Sequence, residues 1–174
     1  FTGAIHEDGW NDTVDGFGSS VDRAEILAIM RDSQVRAVGA AGLIALLVSR
    51  LLALVELDQH VIPAALVAGH AVSRFCATAV FAKLDYVRAE GKAKPFARRV
   101  RDHELVLAAL PALIPLYFLP FWPVVFALVF AGGATWWLAR MFRKRIGGYT
   151  GDCLGATQQF AELAFYGGLL CRLS

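Results

Sequence analysis

Residues 39–57 read GAAGLIALLVSRLLALVEL, with Arg50 as the one strong charge before Glu56 closes the run. An α-helix rises about 1.5 Å per residue, so this stretch is long enough to cross a hydrocarbon core of about 30 Å. That reading decides the fold, because it makes lipid the solvent. The composition agrees: 57% of the 174 residues are hydrophobic and only 18% are charged, well away from a soluble globular balance. A formal net charge of +2 is too small to argue for nucleic acid, so the basic residues matter by their placement. The three cysteines, Cys76, Cys153 and Cys171, have no metal-ligand spacing and suit a reducing compartment.

Working outward, residues 61–82 (VIPAALVAGHAVSRFCATAVFA) predict a second span, with Pro63 tolerable in its first turn. The polar, strongly basic stretch 83–104 is the main extramembrane connection, punctuated by Gly91 and Pro95. Residues 105–119 and 121–139 predict two more spans joined by a hairpin at LPFWP, with Trp122 as an interfacial anchor. The basic patch RMFRKR (140–145) follows, then GGYTGDCLGA (147–156) and a last apolar helix to about Leu173. The prediction is therefore an all-α, polytopic integral membrane protein of about five transmembrane helices. It reads as one membrane domain over 1–174, with an acidic-motif segment at 1–38, a basic loop at 83–104 and a Gly-Asp segment at 147–174. Threading the spans puts both basic segments and both Asp/Gly motifs on one face, which the positive-inside rule makes cytoplasmic.

HEDGWNDTVDG (6–16) carries Glu7, Asp8, Asp12 and Asp15. Asp8, Asp12 and Asp15 recur at i, i+4 and i+7, which places them on one helical face. Carboxylates so arranged repel one another, and Mg²⁺ relieves such repulsion by sharing a few carboxylates with substrate phosphates. A solvated acidic helix start is the plainer reading of the same residues. In the second motif, Asp152, Gly155, Gln159 and Glu162 share a face of one helix, which suits a polar pocket and also close helix packing. Between the motifs, Arg31 offers a bidentate phosphate clamp and Asp32 a metal ligand or an orienting group; surface ion pairing is the alternative. Arg50 and Arg74 lie inside spans, where charge is costly and points to function, although Arg74 is near enough to the basic end to snorkel.

Taken together, HEDGWNDTVDG, IMRDS (29–33), Ser73-Arg74, Tyr86-x-Arg88-x-Glu90-Gly91 and GGYTGDCLGA followed by Glu162 resemble, in that order, the motifs of the cobalamin synthase (adenosylcobinamide-GDP ribazoletransferase) family. The resemblance runs through nearly the whole chain. It departs after Ser33, where the family usually has Arg-Ile-Gly-Thr-Tyr-Gly and this chain has Gln34 to Gly39. Typical members also carry hydrophobic helices ahead of the HEDG motif. The resemblance implies a multi-pass enzyme of the bacterial cytoplasmic (inner) membrane with its active site facing the cytoplasm. Its reaction joins adenosylcobinamide-GDP to α-ribazole or its 5′-phosphate with Mg²⁺ and releases GMP.

Carried over by position, the implied metal ligands are Glu7, Asp8, Asp12, Asp15, Asp32 and Asp152. Arg31, Arg74 and Arg88 would meet phosphate oxygens, and Asp15 or Asp152 would take the acceptor's proton. The implied partners are the two substrates and the lipid bilayer, and a homo-oligomer is compatible with such a bundle. A CDP-alcohol phosphotransferase is the near rival, but Asp8-Gly9-Trp10-Asn11 is followed by Asp12-Thr13 where that pattern needs Ala-Arg. A membrane metal transporter would place carboxylates at the midplane, whereas these motifs flank the spans.

Overall fold

The computed structural model describes residues 3–32, 34–88 and 101–171. Its elements are α1 (Ile5–Ser19), α2 (Arg23–Ile29), α3 (Ala37–Glu56), α4 (Ile62–Lys83), α5 (Asp102–Leu113), a 3-10 turn (Pro115–Phe118), α6 (Phe121–Ile146) and α7 (Gly151–Leu169). The chain is all-α among the described residues, apart from one isolated parallel bridge between Tyr86 and Tyr149.

Three helices are long and apolar enough to cross a membrane: α3, α4 and α6. Their outward surfaces stay apolar, as at Leu51, Val55, Val67 and Val129, which is the pattern expected where lipid replaces water. The five spans read from the sequence resolve into these three plus two of other character. α5 is a short apolar helix carrying Pro111 near its end, and Pro115 opens the separate 3-10 turn, because proline cannot supply the next helical N–H. α7 is the centre of the bundle, packed against α1, α3, α4 and α6, with Gln158, Gln159 and Glu162 buried along it.

The basic patch 140–145 also differs from expectation. It does not follow the fourth apolar run but forms the last turns of α6, with Arg143, Lys144 and Arg145 beside the helix C-terminus. Cations there complement the partial negative charge of the unpaired carbonyls. The helix then stops at Gly147, whose left-handed φ of 84° lets its N–H reach the carbonyls of Phe142 and Arg143.

α3 leads away from the motif end, α4 returns, α5 and the 3-10 turn lead away again, α6 returns and α7 departs. The far end is marked by a cavity of about 460 Å³ lined by Leu57, Val61, Leu119, Trp122 and Leu169 among others, so the α3–α4 turn, the turn into α6 and the end of α7 meet there. The near end gathers the end of α1, all of α2, and the starts of α3 and α7. Arg145 fastens α6 to that end, donating to the carbonyl oxygens of Phe17 and Ser20 while its guanidinium stands 5.3 Å from the Phe17 ring. Ser33, Glu90, Gly91, most of the basic loop and positions 172–174, which include the end of the predicted final helix, lie outside the described residues.

Candidate active site

Two close approaches build the near-end site. α1 and α7 touch backbone to backbone: a Cβ on Gly9 would stand 2.9 Å from the Asp152 carbonyl oxygen, and one on Gly155 would stand 3.2 Å from that of His6. Only glycines permit this approach, which sets Asp8 and Asp12 of α1 within electrostatic range of Asp152 on α7. The second approach is the two-residue bridge. The Tyr149 N–H donates to the Asp85 carbonyl (2.9 Å) and the Val87 N–H donates to the Tyr149 carbonyl (3.0 Å), so the tail of α4 runs beside the entry to α7. Arg88 follows at once, and its Nη2 donates to Asp152 Oδ2 at 2.7 Å and to the Met30 carbonyl at 3.0 Å. One guanidinium thereby ties the tail of α4, the end of α2 and the start of α7.

The electrostatics follow from that crowding. Burial, opposed by a hydrogen bond from the Asn11 amide (3.3 Å) and reinforced by the charges of Asp8 and Asp152, pushes the Asp12 carboxyl up to about 6. Burial likewise raises the Asp152 carboxyl, against the charge and hydrogen bond of Arg88. Carboxylates held above their ordinary range by burial, with neighbouring carboxylates adding to it, suit a site that receives positive charge. Among the described residues no three His, Cys, Asp or Glu side chains converge as a closed metal cage. The hard oxygens of Asp8, Asp12 and Asp152 instead fit magnesium in its usual mode, with a carboxylate or two and the remaining positions left to water and phosphate.

The i, i+4, i+7 face is helical as expected, but it splits. Asp15, only 2% exposed, turns to α3 and accepts from the backbone N–H of Gly39 (Oδ1, 2.7 Å) and of Arg36 (Oδ2, 3.1 Å). It therefore caps the start of α3 from a neighbouring helix, satisfying donors that a helix N-terminus leaves unpaired. Glu7 lies near His6 instead, with a buried Oε2 that has no hydrogen-bond partner.

Arg31 and Asp32 stand apart from the carboxylate cluster, in a cleft of about 610 Å³ lined by Ala24, Leu27, Ala28, Arg31, Asp32, Val87 and Arg88. Arg88 is common to both places. Asp32 makes an exposed 3.2 Å ion pair with Arg36 and accepts from the Gln34 N–H. Arg74 is not brought to the cluster; it lies exposed on α4 and donates to the carbonyl of His70, one turn earlier.

Deeper in the bundle is a second polar centre. Glu162 on α7, 2% exposed, accepts from Tyr166 Oη at 3.0 Å, has His70 Nδ1 3.2 Å from Oε2, and has Arg50 Nη2 3.8 Å away. Arg50 also donates to Gln159 Oε1. The shared face of Gln159 and Glu162 and the depth of Arg50 are legible in the sequence; the part played by His70 is not. Nor is the pairing of Arg88 with Asp152, since its cause is a bridge between segments more than sixty positions apart.

These features define a helical membrane protein with carboxylates and an arginine converging at one end of the bundle, beside a cleft that offers further cationic groups. The chain belongs to the cobalamin-5-phosphate synthase family, whose sequence model matches residues 1–170. It is 44% identical over 177 aligned residues to the adenosylcobinamide-GDP ribazoletransferase of Ralstonia pickettii (strain 12J), covering 99% of this chain and 68% of that protein. It is 42% identical to the protein of that name from Ralstonia nicotianae (93% and 64% covered) and 37% identical to that of Shewanella woodyi (95% and 66% covered). The chain thus spans about two thirds of the length of these curated relatives, which are transferases by name. No solved structure matches it.

Proposed function

We propose that this protein transfers the corrinoid-linked phosphoryl group of adenosylcobinamide-GDP to α-ribazole or α-ribazole 5′-phosphate and releases GMP, a late step of cobalamin biosynthesis. Membership of the family supports the reading, and one geometric observation carries it: the Gly9–Asp152 and Gly155–His6 backbone approaches bring Asp8 and Asp12 of α1 within electrostatic range of Asp152 of α7, which Arg88 pairs at 2.7 Å.

The acceptor hydroxyl attacks the corrinoid-linked phosphorus; a new P–O bond forms as the anhydride P–O bond breaks, and its electron pair leaves with GMP. Such a transfer demands positioning and neutralisation of charge more than covalent help from the protein. Asp8 and Asp12 would hold Mg²⁺, which supplies charge neutralisation at the diphosphate. Asp152 takes the hydroxyl proton, since Arg88 occupies Oδ2 and leaves Oδ1 free, and burial raises its proton affinity. Arg88 and Arg31 face the phosphate oxygens. Asp15 is a positioning residue in this scheme, because backbone N–H groups already occupy both its oxygens.

The basic residues Lys83, Arg88, Arg143, Lys144 and Arg145 belong to the carboxylate end, whereas Glu56 and Asp58 sit at the other. By the positive-inside rule the site faces the cytoplasm from the bacterial inner membrane. The carboxylates of the site flank the spans, which does not favour a transporter. The test is Mg²⁺-dependent release of GMP from adenosylcobinamide-GDP by the protein in detergent or lipid. Release is expected with α-ribazole or its 5′-phosphate present, and its absence with both acceptors would overturn the reading.

A further inference from the structure

The cleft between α2 and the tail of α4 has a chemistry that the phosphoryl transfer does not exhaust. We propose that it is the guanine-binding subsite, in which Leu27, Ala28 and Val87 clasp the flat faces of the base, Asp32 reads its hydrogen-bonding edge, and Arg31 with Arg88 holds the attached phosphates. The proposal rests on the transferase reading, which supplies a GDP-activated substrate.

Three observations carry it. The first is size and lining: about 610 Å³ is within the range of small-ligand sites, and apolar Ala24, Leu27, Ala28 and Val87 line it together with charged Arg31, Asp32 and Arg88. The second is continuity. Arg88 lines the cleft and also holds Asp152, so a nucleotide seated there places its phosphates at the carboxylate cluster. The third is the state of the polar groups. Arg31 is exposed in the wall and has no hydrogen-bond or ion-pair partner among the described residues, so its fork of donors is free for phosphate.

Asp32 has no strong structural occupation. It lies just beyond the C-terminal end of α2, where negative charge opposes the helix dipole. Its ion pair with Arg36 is solvent-exposed at both partners, the kind of pair that contributes little. A carboxylate has about four lone-pair sites, so both oxygens keep acceptor capacity despite Arg36 and the Gln34 N–H. Guanine presents two adjacent donors, N1–H and the exocyclic N2–H, which a carboxylate accepts side by side. Hypoxanthine keeps one of them. Adenine puts an acceptor at N1, which faces the carboxylate with repulsion.

The test is equilibrium binding of GMP, IMP and AMP to the protein in lipid nanodiscs. GMP should bind at least about tenfold more tightly than AMP, with IMP between, since the Asp32 carboxylate accepts two donors from guanine, one from hypoxanthine, and meets the lone pair of adenine N1. Asp32→Asn should bring GMP and AMP within about threefold of each other, because one acceptor of the pair is lost. Arg31→Gln should weaken all three by a similar factor and leave their ratio intact. A wild-type ratio near one, or a wild-type ratio retained by Asp32→Asn, overturns the proposal. Should Asp32→Asn fail to fold, Ala28→Trp, which fills the cleft, must weaken GMP binding; undiminished binding by that variant also overturns it. GMP release separates the two levels. Turnover with the discrimination unchanged in Asp32→Asn defeats the subsite alone, and Asp32-dependent discrimination without any turnover defeats the transferase reading alone.

Discussion

The carboxylate cluster at the near end and the Glu162 centre deep in the bundle are built from the same kinds of side chain and resolve their charge in opposite ways. Around Glu162, the partners come from three helices: Arg50 of α3, His70 of α4, and Gln159 and Tyr166 of α7 itself. Around Asp12, burial, with the charges of Asp8 and Asp152 adding to it, outweighs the nearby Arg88 guanidinium and pushes the Asp12 carboxyl up to about 6. A charge balanced inside the protein ties helices together where lipid would penalise it unpaired. A cluster left unbalanced at the edge of the bundle is, in the function proposed above, where a cation and an anionic substrate would bind. The first is a device of folding and the second, on that proposal, a device of binding.

The sharpest way to break this comparison is to remove one group from each side. Asp12→Asn should lower GMP release by about 10²–10³-fold, the scale of losing one electrostatic contact to a transition state, while the melting temperature stays close to wild type. A variant with wild-type turnover would place Asp12 outside the chemistry. Glu162→Ala should do the reverse, destabilising the bundle by about 3–5 kcal/mol because Arg50 is left charged and unpaired. Thermal melts should then show the double variant Arg50→Met with Glu162→Leu recovering much of that loss; a purely additive double variant would mean that the two residues do not act as a pair.

Asp15 tests where the boundary between the two kinds of charge falls. As the cap of α3, Asp15→Ala should cost about 1–2 kcal/mol, and Asp15→Asn should recover part of it because asparagine also caps helices. A metal-binding Asp15 would not tolerate Asn, so stability and turnover measured on both variants separate the roles. The smallest effect is in pH. The folded Asp12 carboxyl lies above its unfolded value, so its protonation favours the folded state at low pH, and that contribution is lost as pH rises through about 6. Without magnesium the melting temperature should therefore rise slightly from pH 7 to pH 5. Added magnesium should stabilise at pH 7 and lose its effect below about 6; stabilisation equal at both values would show that the ion binds elsewhere.

Much of the architecture was legible because hydropathy acts locally. The runs at 39–57 and 61–82 became α3 (Ala37–Glu56) and α4 (Ile62–Lys83) almost residue for residue, and alternation of the spans put both acidic motifs at one end. Two local readings went astray for a physical reason. The span predicted at 121–139 ends where charge begins, because charge marks the membrane boundary, yet nothing in Arg140 to Arg145 stops a helix before Gly147. The run 105–119 looked like one span because its apolar content hides Pro115, which ends α5 and opens the separate 3-10 turn.

The sequence by itself determined an all-α membrane protein, its approximate spans, the end that carries both acidic motifs and the carboxylates from which the proposed site is drawn. Apolar run length and helical spacing are properties of neighbouring residues, and these suffice for that much. Only the tertiary structure decided which carboxylates remain available. Asp15 is spent on two N–H groups of α3, Asp152 is paired with an arginine brought in by the Tyr86–Tyr149 bridge, and Asp8 and Asp12 are left to share what remains. Those outcomes depend on glycine contacts between α1 and α7 and on a backbone bridge between the residues after α4 and those before α7, and no periodicity within one segment encodes a partner on another.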